Sequence, residues 1–212
     1  MADQSLHSIA PSIFYDSAPP SEATPPFDNG SADTILCSSD NVYFHVHSAL
    51  LREASQSFYG MLKHQDNSDD DITRTHSTAR DGSTRPLMTS LTETSHILDA
   101  LLRFCYPIPD PILDSLTDIS DVLQAAIKYE MEQVVVLTKR LLLSFVDDDP
   151  LRVWTIACRS RLEAEARIAA MKVQDTYPDS GAPPEMRDIS ADAFHRLLRY
   201  KRANGEVDDG FM

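Results

Sequence analysis

The sequence is poor in the residues from which most catalytic and ligand-binding loops are built. Its 212 residues include only six glycines and three cysteines. No GxxxxGKS/T or GxGxxG run occurs, so no glycine cradle for a phosphate is present. There is likewise no GxSxG nucleophile elbow and no HExxH zinc helix. Cys37, Cys105 and Cys158 lie far apart without a CxxC pair. That excludes a ribbon-type zinc site and a thioredoxin-like motif, and fits reduced thiols in an intracellular protein. Positive charge is scarce too: 19 Lys and Arg stand against 33 Asp and Glu, a net charge of −14. Binding to nucleic acid is driven by counterion release onto Lys and Arg, so neither nucleic acid nor an anionic membrane is an expected partner. No stretch approaches the ~20 apolar residues needed to span a bilayer. The N-terminus has no basic start followed by an apolar run, so no secretory signal is expected. Ser, His and Asp occur without a spacing that singles out a triad. Glu163 and Glu165, two apart on a predicted helix, do not share a face. No enzyme activity, cofactor or small-molecule substrate is expected, and the location is expected to be nuclear or cytoplasmic.

Hydrophobic residues make up 42% of the chain, enough for a core. Residues 1–30 carry five prolines among Ser, Ala and Asp and read as a disordered arm, with one apolar patch at Ile13, Phe14 and Tyr15. Ala32–Cys37 and Val42–Val46 read as strands joined by the Ser38–Asn41 turn, a hairpin. Ser48 and Ser55 are placed to cap two short helices, through Leu50-Leu51 and through Phe58. Residues 64–85 are polar and aperiodic and read as a loop; Pro86-Leu87-Met88 begins a third strand. From Ser95 the period becomes helical, with stripes at Ile97, Leu98, Leu101, Leu102 and Cys105, at Ile119, Val122, Leu123, Ala126 and Ile127, and at Met131, Val134, Val135, Thr138, Leu141, Leu142 and Phe145. Pro107, Pro109 and Pro111 force an extended connection between the first two. Asp149-Pro150 opens a helical extension over 147–175; a linker over 176–188, a helix over 189–204 with a small basic patch, and a tail over 205–212 complete the chain.

Residues 31–63 resemble the start of a BTB/POZ domain. The residues that carry the likeness are Ala32-Asp33, Asp40 in the turn, Phe44-His45-Val46-His47, Leu50-Leu51 and Ser55-Gln56-Ser57-Phe58. The likeness continues in LDALLRFCYPIPDPILD, a leucine-rich helix ending at Tyr106-Pro107, and in VLQAAIKYEMEQVV with Ala126 and Tyr129. It spans about residues 31–146, and the downstream helices and the proline-rich arm resemble the fungal, basidiomycete-like BTB group. The resemblance implies an α+β fold in which a small three-stranded mixed sheet packs against a cluster of helices. It implies protein–protein association, as a homodimer or as an adaptor, with recruitment of cullin-3 ubiquitin ligases or corepressors in some members. Asp33, Asp40, Phe44, His47, Phe58, Tyr106, Ala126 and Tyr129 fall at the family's motif positions. The family's dimer surface points to Leu50, Leu51 and Ile13-Phe14-Tyr15; either leucine could instead be core.

Two features depart from the functional motifs of such domains. Ser48 stands where corepressor-binding members pair the early aspartate with a basic residue. Leu91-Thr92-Glu93 matches the hydrophobic-x-Glu pattern of cullin binders but falls beyond the third strand. A reading of another class, a zinc enzyme, would use Cys37, His45 and His47, because two histidines two apart on a strand share a face and the cysteine lies across the hairpin. Against it, the resemblance makes His47 a structural residue at the strand-to-helix junction, its imidazole packed and bonded to backbone, and puts His45 at an exposed position.

Overall fold

The computed structural model describes residues 20–68, 86–173, 181–203 and 205. The expected hairpin is present. Strand β2 (Thr34–Cys37) pairs antiparallel with β3 (Val42–Val46), Thr34 opposite Val46 and Cys37 opposite Tyr43. Alternation turns Thr34, Leu36, Phe44 and Val46 inward. Asn41 closes the turn at φ 61°, a left-handed conformation that asparagine tolerates better than most residues. The Ser38 hydroxyl accepts from the Val42 N–H at 2.9 Å. Strand β4 (Leu87–Ser90) lies parallel to β2.

The sheet has four strands where three were expected, in the order β1-β3-β2-β4. The extra one, β1 (Ser21–Glu22), comes from the segment read as a disordered arm. It runs parallel to β3, with Ser21 N–H on Asn41 O at 3.0 Å and Ala23 N–H on Tyr43 O at 2.8 Å. Phe27 holds the segment down. It is fully buried, 5.9 Å from the Phe44 ring and edge-on to Tyr106 at 5.2 Å. Residues 20–30 are therefore part of the folded body; Ile13, Phe14 and Tyr15 lie outside the described residues.

Helix α1 (Ser48–Ala54) and helix α2 (Gln56–Ser68) meet at Ser55. The buried Ser55 hydroxyl accepts from Phe58 N–H at 3.0 Å and donates to the Tyr129 carbonyl. Residues 64–68, read as loop, continue α2; the rest of the expected 64–85 loop lies outside the described residues. Then come α3 (Ser95–Cys105), α4 (Leu116–Lys128) and α5 (Glu132–Ser144). Ser115 caps α4, its hydroxyl accepting from Asp118 N–H. At the α4–α5 junction the N–H of Met131 reaches Ala126 O at 2.9 Å, with Glu130 left-handed at φ 52°. This closes a helix end in the way glycine usually does.

Beyond these come α6 (Pro150–Arg159), capped by Asp149, and α7 (Glu163–Lys172). A 3-10 turn at Pro184–Asp188 occupies part of the expected linker, and α8 (Ala191–Arg202) starts at its Ser190 cap. This lobe is fused to α4: Arg152 reaches Thr117 at 2.8 Å, Arg159 reaches Ser120 at 2.5 Å, and Gln124 reaches Ser160 at 2.7 Å. Leu36 and Phe44 of the hairpin, Val122 of α4 and Trp154 of α6 belong to one contiguous core.

Candidate protein-interaction surface

The motif residues turn out to be joints. Asp33, at the entry to β2, accepts from the Ser48 N–H at 2.7 Å and from the Ser48 hydroxyl at 2.6 Å. Ser48 is thus the first residue of α1, not its cap; a carboxylate from the hairpin does the capping. Burial works against the charge on Asp33, but the Ser48 bonds outweigh it and hold the carboxyl below its usual range. With its carboxylate engaged this way, Asp33 caps a helix where a charged pocket would need it free. Phe58 stacks on Tyr129 at 4.7 Å, and Ala126 and Phe44 are core.

The two histidines exchange the environments expected for them. His47 is exposed, and it is its backbone N–H that donates, to the Tyr106 hydroxyl at 2.8 Å. His45 is 17% exposed and pairs with Glu22 of β1 at 2.9 Å. The added strand covers what would otherwise be an open edge beside His45. Cys37 stands opposite Tyr43, four strand residues from His47, about 13 Å at the usual rise. Among the described residues no three His, Cys, Asp or Glu side chains come together as metal ligands. The Cys37, His45 and His47 set is thus not convergent, and the zinc reading loses its geometric basis.

Leu51 is fully buried and belongs to the core; Leu50 is half-buried and faces a surface groove of about 1110 Å³. The groove runs from the α1–α2 joint past the end of α3 to the α4–α5 junction. Its apolar lining includes Phe104, Ile127, Val135 and Val136, with Ile127 39% and Val136 44% exposed. Glu53, Glu130 and Glu132 give it an acidic rim, with Arg52 the basic residue among them. Periodicity places Ile127 in the core stripe of α4; it lies at the stripe's edge and opens onto the groove. Val136 was detectable in sequence: Val134-Val135-Val136 are consecutive on a helix, and three successive residues cannot all face one core. Phe27 and the Glu93–Lys128–Tyr129 cluster left no such signal.

That cluster accounts for Leu91-Thr92-Glu93. Glu93, 10% exposed, accepts from Lys128 at 2.7 Å and from the Tyr129 hydroxyl. Burial alone would raise its pKa; Lys128 and Tyr129 bring it below the usual value. Burial and the neighbouring Glu93 push the Tyr129 phenol up. The carboxylate is engaged by bonds within the fold.

No curated protein matches the chain. Among solved structures it is similar to the BTB domain of zebrafish PATZ1, with 16% identity and a TM-score of 0.38, over 52% of this chain and 75% of that one. The family model for the BTB/POZ domain matches residues 26–145, a span that starts just ahead of Phe27 and ends with α5. The chain belongs to the BTB/POZ-domain family, and the domain it carries is a protein–protein interaction module.

Proposed function

We propose that the chain acts as an adaptor that grips another polypeptide, first of all a second copy of itself, along the groove beside α1. The observation that carries this reading is the presence of Leu50, Ile127 and Val136 in one open channel on rigid helices. Apolar side chains held in solvent gain about 25 cal/mol per Å² when a partner covers them. A stable interface removes roughly 1,600 Å² in total, with a few such anchors dominating. The acidic rim gives a signature: two copies bring like charges together, so self-association strengthens as salt screens them. Light scattering on the full chain, at low and high salt, tests this. The expected result is a dimer favoured by salt and dissociated by Val136→Asp at unchanged thermal stability. A monomer at every concentration assigns the groove to a different protein. A dimer indifferent to both Val136→Asp and Leu50→Asp removes the groove from the interface.

Cullin-3 recruitment is not favoured, because the matching triplet has its carboxylate tied to Lys128 and Tyr129. A cullin-3 pull-down is expected to be empty. The three free cysteines and the helices after the domain support an intracellular protein of the fungal BTB group, which immunolocalisation in the source cells would check. Catalysis forms no part of this reading.

A further inference from the structure

The connection between α3 and α4 carries the most exposed large apolar side chain among the described residues, Ile112 at 88%. It sits in Tyr106-Pro107-Ile108-Pro109-Asp110-Pro111-Ile112-Leu113. From Ile108 to Pro111 every residue is either a proline or precedes one. Prolines have φ fixed near −65°, and residues before proline are driven to extended or polyproline II geometry. Pro107, Pro109 and Asp110 are exposed. Ile108 N–H bonds to Tyr106 O at 2.8 Å; from Pro109 to Asp114 no backbone or side-chain hydrogen bond is made among the described residues. The prolines at 109 and 111, the extended bias they impose on Ile108 and Asp110, and the lack of internal bonds together favour polyproline II geometry there. Both ends are fixed, by Tyr106 on His47 and by the buried Leu113 and Leu116. Pro109 and Ile112 are both exposed, and in that geometry their three-residue separation spans about 9 Å.

A purely structural spacer between two helices needs the prolines and the buried Leu113. It does not need an isoleucine in water between them. We propose that residues 108–112 are a preorganised recognition segment for a partner protein whose groove is lined by aromatic rings, of the kind that reads polyproline II ligands. Such grooves dock proline-rich segments, and a ligand whose backbone is already restricted by its prolines binds with little ordering cost. Here Ile112 adds an exposed aliphatic contact beside the prolines. Asp110 and Asp114, both exposed, flank the ridge and call for basic residues on the partner's rim. The segment is not part of the groove beside α1, so this inference stands apart from the proposal above.

The test is a titration of the full chain against a panel of isolated SH3, WW and EVH1 domains, followed by fluorescence anisotropy. The expected result is binding by at least one domain with a basic rim. A peptide of residues 105–115 should compete for it. The double variant Pro109→Ala, Ile112→Ser should weaken it at least about tenfold, a loss of roughly 1.4 kcal/mol. Both side chains are exposed, so the variant should stay folded, its thermal midpoint lowered only slightly by the freed backbone at residue 109, which isolates recognition from folding. The proposal is overturned if no domain of the panel binds. It is equally overturned if binding survives the double variant unchanged.

Discussion

Asp40 and Ser95, fifty-five positions apart, are joined twice: the Ser95 N–H donates to one carboxylate oxygen at 2.7 Å and the Ser95 hydroxyl to the other at 2.6 Å. The same double bond links Asp33 to Ser48. A carboxylate at the entry to β2 and one in the turn after it each start a helix that is distant in sequence. Each also places negative charge at a helix N-terminus, where the macrodipole favours it. The hairpin therefore sets the positions of α1 and α3 together.

Replacing Asp40 with Ala removes that cap and is expected to cost about 1 kcal/mol in urea denaturation, within the range for lost caps. The Ser95 hydroxyl bond, offset in part by burial, holds the Asp40 pKa down at about 2. A depressed carboxyl stabilises fully above its ordinary range and loses that contribution as pH falls from about 4 to about 2. The stability of Asp40→Asn should accordingly fall less steeply than that of the wild type across this acid window.

Phe27→Ala should be the most damaging single change in the N-terminal segment, at about 3–5 kcal/mol for a fully buried ring. The equilibrium unfolding midpoint measures it. Glu22→Gln on the neighbouring strand should cost far less, because the His45–Glu22 pair has an exposed partner at 61%.

Tyr129→Phe keeps the ring stacked on Phe58 but removes the donor to Glu93. The expected loss is about 1–3 kcal/mol, the cost of leaving a mostly buried acceptor with one partner fewer. If thermal unfolding shows no loss, the Glu93 cluster does not hold the β4–α3 turn to α4.

Arg161 is exposed and left-handed at φ 57°, just after α6, with the Leu162 N–H closing onto Ala157 O at 2.8 Å. Glycine adopts this conformation without the Cβ clash. Arg161→Gly should raise stability by about 0.5–1 kcal/mol, visible as a higher melting temperature.

Burial pushes the thiols of Cys105 and Cys158 up to about 12. Cys158, the buried one of the two, should resist a thiol-reactive dye at pH 8 until the chain unfolds. Rapid labelling of Cys158 in the native protein would contradict its placement.

Much of this architecture can be read along the chain because short-range rules control it. The β2–β3 hairpin follows from strict alternation around a turn of Ser, Asp and Asn. Ser55 follows from its position before Phe58, and Asp149 from the proline after it. The failures share a different cause. Ser48 reads as a cap, yet Asp33 is a charged acceptor delivered by the hairpin, and no local pattern announces it. Residues 21–27 look disordered by composition, but their pairing to β3 is made by backbone groups, and one aromatic anchor suffices. Leu50 and Leu51 are indistinguishable in sequence; only helix orientation separates the core side chain from the one on the groove. Ile127 sits where a helical stripe ends, and the stripe's width is set by what packs against it.

The seam between α4 and the C-terminal lobe bears on where this protein can be divided. Family likeness stops at residue 145, yet the guanidinium groups of Arg152 and Arg159 are plugged into hydroxyls of Thr117 and Ser120 on the other side of that line. A fragment cut there would lose these bonds and leave the face of α4 that carries Thr117, Ser120 and Gln124 without its cover. The unit that folds around one core is therefore longer than the stretch matched by the family.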